Sequence, residues 1–428
     1  MSKLWRIAYN GIAVPVARAG LPVVRRARPG VERAVGAREG LLERWEEALE
    51  SLADGSPRIW LHAASAGETL QARPLADAIR RSLPEAVILF THFSPSARSY
   101  ATSLESVDAT GYLPLDLPDR MRRFVDLTAP DLLLLVGAEM WPNLIWSVVD
   151  RGASVVQACC RLVGADRLGW PARGLVRELY RRLDAVAAVA PEDAGLLREL
   201  GVPADRIGVA GDTRADVTLE RARAARDDGP ARIVPEGRRP VIVAGSTWPP
   251  DEDVLLPALS WLTADRPGLL AFIAPHDPTD AAVRRLEEEC RSLDLPTVRW
   301  GSPPPDAATV VIVDRVGILY RLYGLADLAF VGGGFGGAVH NTMEPAAMGV
   351  PVSIGPRHGD PYEVGALAAV GGLRVVRSAP DLGAWWDGLL DRDGAGRAGR
   401  AAERSLLAMA GATDRILEFL AGRGHPVR

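Results

Sequence analysis

The sequence predicts an α/β protein built from two doubly wound halves, and three observations carry that reading. Short β-branched or leucine-rich runs alternate with amphipathic helical patterns; one polar stretch near the middle interrupts the alternation; beyond it the alternation restarts. At 428 residues the chain has room for two or three domains, each able to bury its own core.

In the first half the runs are RIWLHA (58–63), AVILFT (86–91), DLLLLVG (131–137), ASVVQA (153–158), DAVAAV (184–189) and RIGVA (206–210). They are apolar nearly throughout rather than alternating, which marks parallel strands covered on both faces. ETLQARPLADAIRRSL and PNLIWSVVDRG supply crossover helices. The polar stretch 218–239 reads as a linker. PVIVAGS, LLAFIA, TVVIVD, DLAFVG, PVSIG and LRVV then repeat the architecture without repeating the sequence. The end, AGRAAERSLLAMAGATDRILEFLAG, is one long helical pattern with a break expected near Gly411. The expected organisation is a basic segment 1–35, a first domain 36–217, the linker 218–239, a second domain 240–400, and a carboxyl-terminal helix 401–428 packing back towards the first domain. Two facing doubly wound domains would gather their carboxyl-end loops around a shared cleft.

Composition narrows the function classes. Hydrophobic residues make up 48% and charged residues 24%, with 43 Gly and 33 Pro in no period, which excludes collagen-like, disordered and coiled-coil chains. Cys159 and Cys160 are neighbours and Cys290 is remote, so no disulfide framework is drawn and a reducing compartment is expected. The six His show no HxxxH spacing and no CxxC occurs, so no structural zinc is expected. A net charge of −4 argues against nonspecific nucleic-acid binding. The charge is uneven, however. Residues 1–35 carry Lys3, Arg6, Arg18, Arg25, Arg26, Arg28 and Arg33 against Glu32 alone, a net +6 around the weakly apolar IAYNGIAVPVA. That stretch is far short of the roughly 18–20 residues of a span and lacks the pattern of a signal peptide. It suits the headgroup region of an anionic membrane; a solvated arm with a docked helix is the other reading.

Four constellations could carry chemistry. HAASAGE ends the first strand and places Glu68 in the first turn of a helix, where it is either a dipole-favoured acid or, facing a cleft, a general base. GAEMWPNL sets Glu139 beside Trp141 and Pro142 at another strand-to-helix junction, and GDTRAD offers Arg214 as a holder of anions. The fourth, FVGGGFGGAVHNTMEPAAMGVPVSIGP (330–356), is the most informative. Gly332, Gly334 and Gly337 satisfy GxGxxG by letters, but the motif follows a late strand and no acid ends the next one, so a dinucleotide fingerprint is disfavoured. Asp360 lies only in the loop beyond. A glycine loop feeding a helix would still aim N–H groups at a phosphate, with Asn341 and Glu344 one turn apart towards the ribose. Ser246 and Thr247 after PVIVAG, and Pro275 with His276 in APHDP, converge on the same end of the sheet. The DxD-like runs Asp251-Glu252-Asp253 and Asp391-Arg392-Asp393 read as caps rather than metal ligands.

HAASAGE, FSPSAR, YLPLDLP, EMWPNLI, GDTRAD, GST, APHDP and the glycine region, in that order over about residues 58–377, together resemble the Kdo (3-deoxy-D-manno-octulosonic acid) transferases. The resemblance implies a GT-B fold and an inverting glycosyltransferase. It would move Kdo from CMP-Kdo, without a metal or other cofactor, to a lipid A precursor at the cytoplasmic face of the bacterial inner membrane. Carried over by position, the proton acceptor falls on Glu68 and the positive transition-state stabiliser, commonly Lys, on Arg214; Glu139 joins them as a catalytic acid. The substrate-binding set becomes Ser246, Thr247, Pro275, His276, Val316, Gly317, Ile318, Gly333, Gly334, His340, Asn341, Thr342, Met343 and Glu344. Some positions depart from the pattern. Gly137 stands where many members carry a first acid before Trp-Pro, Pro-His-Asp replaces Pro-Arg-His, and Cys159-Cys160-Arg161 replaces Asn-Ala-Arg. Alternatives are another GT-B transferase or a nucleotide-sugar epimerase, a dinucleotide oxidoreductase, and an inactive membrane-surface relative.

Overall fold

In the computed structural model the described residues are 2–27, 29–52, 56–162, 169–227, 234, 239–301, 309–359, 361–391 and 393–428. Arg28, Asp360, Arg392 and the inner linker residues 228–233 and 235–238 lie outside them, as do the side chains of Arg25 and Arg26. The chain divides into two compact units, Met1–Val217 with Gly411–Arg428, and Thr218–Ala410.

The first unit is built on seven parallel strands: β1 (Arg58–Ala63), β2 (Val87–His92), β3 (Ala109–Tyr112), β4 (Leu132–Val136), β5 (Ser154–Cys160), β6 (Ala185–Ala188) and β7 (Ile207–Val209). Their order is β3-β2-β1-β4-β5-β6-β7, with every pairing parallel. The unbroken apolar runs are explained by burial on both faces. Trp60, Leu133 and Leu135 enter one core layer, while Ile59, Leu61, Leu132, Leu134 and Val136 enter the other. Into that second layer the terminal helix Ala412–Ala421 inserts Ile416, Leu417 and Leu420. Its start is fixed by Asp216, whose carboxylate accepts from Gly411 N (2.6 Å), Thr413 N (2.8 Å) and Thr413 Oγ1 (2.6 Å).

The second unit repeats the plan with β8 (Val241–Thr247), β9 (Leu270–Pro275), β10 (Thr297–Arg299), β11 (Val310–Ile312), β12 (Leu328–Val331), β13 (Val352–Ile354) and β14 (Leu373–Val375), ordered β10-β11-β9-β8-β12-β13-β14. One face is a core of Ile242, Ala244, Leu255, Leu259, Phe330 and Trp386 among others. In each sheet the order reverses at one place, between β1 and β4 and between β8 and β12. Ligands of open α/β sheets bind outside the strand ends at such switch points.

The sequence reading missed β3 and β10. It also took 218–239 wholly as linker, whereas 218–227 continue the helix Arg214–Asp227, which buries Ala215, Val217, Leu219 and Ala222. The long terminal pattern divides at Gly411, whose φ of 80° ends one helix, Gly394–Met409, before the next. Residues up to 410 belong to the second unit and those from 411 to the first.

The amino-terminal segment is helical: Ser2–Ala8, a π turn Tyr9–Ala13, then Val14–Ala27. One side docks on the first unit. Trp5 and Tyr9 pack against its core, Tyr9 donates to Asp116 (3.0 Å), and the amides of Asn10 and Asn143 bond reciprocally at 2.9 Å. The other side exposes Leu4, Ile7, Ile12 and Val16, each by about two-thirds. Among the described residues no helix is long and apolar enough to cross a membrane.

Candidate functional site

At the β1/β4 switch point the small residues after Ala63 let the chain turn into the helix Ala66–Ser82. Ser65 caps it. Its hydroxyl accepts from Glu68 N, and Glu68 Oε2 accepts from Ser65 N (2.9 Å) and Ser65 Oγ (3.0 Å), a reciprocal capping box. Burial nonetheless raises the Glu68 pKa above the usual glutamate value, against the lowering effect of these bonds. Gly137, just past β4, has φ 86°, and a Cβ built there would lie 2.6 Å from Glu68 Oε1. The carboxylate of Glu68 therefore fills the space a side chain at 137 would need. Gln157 donates to Gly137 O (2.8 Å) and fixes the turn. The Glu139 pKa is raised as well, first by burial and then by the charge of Glu68, so the two acids form a neighbouring pair.

Motifs around these acids have structural roles that are now visible. Asp116, in YLPLDLP, accepts from Asn143 N and Leu144 N (3.1 Å each) at the start of the helix Pro142–Asp150; burial pushes its pKa up to about 6. Arg38 donates to Phe93 O and Leu113 O (2.8 Å each) and to Ala34 O, its guanidinium 4.2 Å from the Phe93 ring centroid. Trp141 packs on Phe93 (4.5 Å between centroids) and edge-on to His62 (6.1 Å). Burial drives His62 down to about 3, so it stays neutral. Cys159 and Cys160 are buried thiols pushed up to about 12, far from nucleophilic at neutral pH.

Arg214 opens the helix after β7. Its Nε (2.9 Å) and Nη2 (2.7 Å) reach Asp212 Oδ2, and its N–H reaches Asp212 Oδ1 (2.9 Å). Glu68, Glu139 and Arg214 thus all belong to the first unit, each just past the carboxyl end of a strand: Glu68 and Arg214 in the first turns of helices and Glu139 in a loop.

In the second unit β8 ends in a bulge with Ser246 at φ 55°. Thr247 is buried and donates to Glu252 (2.8 Å), which also pairs with Arg285. Asp251, fully buried, accepts from Trp248 N (2.9 Å), Gly333 N (2.7 Å) and Phe335 N (3.0 Å). Asp251 and Glu252 of the first DxD-like run are thus committed to protein donors. The expectation that the glycine loop aims its N–H groups at a phosphate needs correction at Gly333 and Phe335, because a buried carboxylate without a cation takes whatever donors it can reach. Gly332 and Gly334 lie against backbone atoms of Ser246 and Gly355 that any Cβ would strike. The helix after the loop, Met343–Ala347, has five residues, and Asn341 Oδ1 accepts from Met343 N (3.0 Å), so the expected dipole is small and its first donor is taken.

Above this floor three rings stack. Trp248 lies 4.7 Å from His276, His276 lies 4.4 Å from His340, and Trp248 Nε1 donates to His340 Nε2 (3.3 Å). Burial and His276 lower the His340 pKa. Pro275 is buried beneath His276. Glu344 accepts from Asn341 (3.3 Å), and burial raises its pKa while Arg221 opposes the rise. Thr342 and Met343 are buried behind it, Val316 and Gly317 are exposed, and Ile318 precedes the helix Leu319–Tyr323. Sequence reasoning missed Trp248, Gln71 and Asp212 as site-building residues, and it read Asp251 only as a cap. Among the described residues no three His, Cys, Asp or Glu side chains group as metal ligands.

Two doubly wound parallel sheets, each with polar side chains collected at its switch point, define a two-domain α/β protein with the GT-B fold. Solved structures of that architecture align along most of the chain. UDP-GlcNAc 2-epimerase from Neisseria meningitidis covers 85% of this chain and 100% of its own at TM-score 0.61, and a glycosyltransferase from Rickettsia africae covers 87% and 98% at 0.55, both at 13% identity. The family profile described as 3-deoxy-D-manno-octulosonic-acid transferase (kdotransferase) matches residues 39–217. The 3-deoxy-D-manno-octulosonic acid transferases of Haemophilus influenzae and Bordetella pertussis are 30% and 32% identical over 374 and 385 residues, each alignment covering 85% of this chain and 86% of the relative. The chain belongs to the Kdo transferase family and is a glycosyltransferase.

Proposed function

We propose that the chain transfers Kdo from CMP-Kdo to a lipid A precursor, with inversion and without a metal, at an anionic membrane surface. The observation that carries the mechanism is the part-buried Glu68 carboxylate at the β1/β4 switch point, its pKa raised by burial above the ordinary glutamate value, the direction a general base needs. Glu68 takes the proton of the acceptor's primary hydroxyl while that oxygen attacks the anomeric carbon. The bond from that carbon to the phosphate oxygen breaks on the opposite face, and CMP leaves with the bonding pair. One displacement inverts the centre. Arg214 meets the negative charge that grows on the leaving group, the kind of preoriented stabilisation that lowers such barriers most. Glu139 keeps a second acid beside the base. The second unit would hold CMP, with Glu344 and Asn341 towards the ribose and the Trp248, His276 and His340 stack beside Ser246.

For membrane attachment, the support is the pairing of the net +6 segment with the exposed Leu4, Ile7, Ile12 and Val16. Basic residues near an anionic surface contribute about 1 kcal/mol each and are screened by salt; the apolar side chains add a salt-insensitive part. Anionic liposomes should sediment with the protein, high salt should release only part of it, and combining Glu at 25, 26 and 28 with Ser at 4, 7, 12 and 16 should abolish binding. Sedimentation of that variant equal to the parent's would refute the attachment. The central test is CMP release from CMP-Kdo with and without a lipid A precursor. Acceptor-dependent release supports the transfer; none, or turnover of a UDP-sugar instead, rejects it.

A further inference from the structure

The base and the cation of the first unit sit on segments far apart in the chain, and one side-chain relay connects them. Gln71 lies three residues after Glu68 on the helix Ala66–Ser82, one turn along the same face. Its Nε2 donates to Asp212 Oδ1 at 2.9 Å, and the same oxygen accepts from Arg214 N while Oδ2 accepts from Arg214 Nε and pairs with Nη2 at 2.7 Å. A second strap runs in parallel. Thr213 Oγ1 donates to Gln71 O (2.7 Å) and lies 3.4 Å from Cys159 Sγ. Gln71 and Asp212 are each under a tenth exposed, so their mutual bond is shielded from water, whereas the Arg214 side chain stays partly open to solvent. Asp212 grips one edge of the guanidinium through Oδ2, while its other oxygen is held by a residue on Glu68's own helix.

We infer that Gln71 and Asp212 are positioning residues that hold the Arg214 guanidinium in fixed register with Glu68. The inference rests on the roles given above to Glu68 and Arg214. A free arginine side chain samples many rotamers and must be ordered in the transition state, whereas one gripped by Asp212 is ordered beforehand. A misplacement of about 1 Å is enough to cost about 100-fold in rate. Asp212 also offsets part of the arginine's charge, which is acceptable only if its gain is geometric.

The test is a double-mutant cycle in the full-length enzyme, reading acceptor-dependent CMP release and the CMP-Kdo KM, with thermal melting to establish folding. Gln71→Leu should lower kcat about 10-fold and Asp212→Ala about 100-fold, each with the donor KM within about twofold. Asp212→Asn, which keeps an oxygen for the guanidinium, should regain about half of that loss on a logarithmic scale. In the Arg214→Ala background all three changes should lose their effect. Persistence of the full effects without Arg214, or an unchanged kcat in folded Gln71→Leu and Asp212→Asn, overturns the inference while leaving Arg214 in place. An unchanged kcat in Arg214→Ala overturns the role of Arg214 itself and the inference with it. Should Asp212→Ala fail to fold, Gln71→Leu and Asp212→Asn still decide.

Discussion

The two units share a strand plan and treat acidic residues at their switch points in different ways. At the β1/β4 switch point Glu68, capped by Ser65, and Glu139 are part-buried, and burial raises the pKa of each, as it does that of Glu252 in the second unit. After β8, Asp251 and Glu252 are deeper still, and backbone N–H groups, Thr247 and Arg285 take them up. The difference lies in what the acids hold: Glu68 bonds to the serine that caps its own helix, whereas Asp251 ties the glycine loop to its helix and Glu252 ties Thr247 to Arg285. Under the proposed function the first unit's acids would move a proton, whereas the second unit's Asp251 holds a loop and binding would fall to the stacked rings and Glu344.

The comparison breaks most sharply at Glu68. Glu68→Gln keeps shape and removes the base, so turnover should fall by ~10²–10⁴ while calorimetry finds CMP affinity within twofold; near-normal turnover would move the base elsewhere. Arg214→Ala should slow the chemical step by about 10²–10³, and Arg214→Lys should be partly active. Equal damage from both would point to packing. In the second unit Asp251→Asn should act on binding instead. Losing one accepting oxygen to three N–H donors costs roughly 1–3 kcal/mol, seen as a lower melting temperature and CMP binding weakened about 10-fold, with kcat nearly kept; a kcat collapse at unchanged affinity would erase the contrast. The acid limb of kcat/KM should lie above the ordinary glutamate range. Glu68 works ionised and its pKa is raised, so activity appears only as pH climbs through that higher value. Glu139→Gln removes a neighbouring negative charge and should move the limb to lower pH. The smallest effect should come from EDTA, which is expected to leave turnover unchanged; loss restored by Mg²⁺ would bring back the acidic runs as metal ligands.

The central strands were readable because burial on both faces writes an unbroken apolar run, as in LLLLV of β4. The two strands that escaped are edge strands. β3 is ATGY with Thr110 exposed, and β10 is TVR, half-buried, so neither leaves a run to see. Residues 218–227 of the helix Arg214–Asp227 passed for linker because Thr218, Leu219 and Ala222 are their buried residues, scattered among charges. Glu68 and Glu139 were legible for a positional reason, each standing just beyond an apolar run. Asp212 was not, since its meaning lies in Gln71, 141 residues away. The glycine loop shows the limit most clearly. Letters reveal that the backbone can turn there, but which way an N–H points depends on a buried acid 82 positions earlier.

The contact between Gly137 and Glu68 also bears on how such a sequence can change. An acid placed at 137 would need a backbone φ that L residues seldom adopt and would meet the Glu68 carboxylate lodged there. The flexible end of Glu68 would have to shift to admit it. A side chain at 137 thus carries a backbone cost and displaces the Glu68 carboxylate, so the effects of substitutions at the two positions are expected not to add.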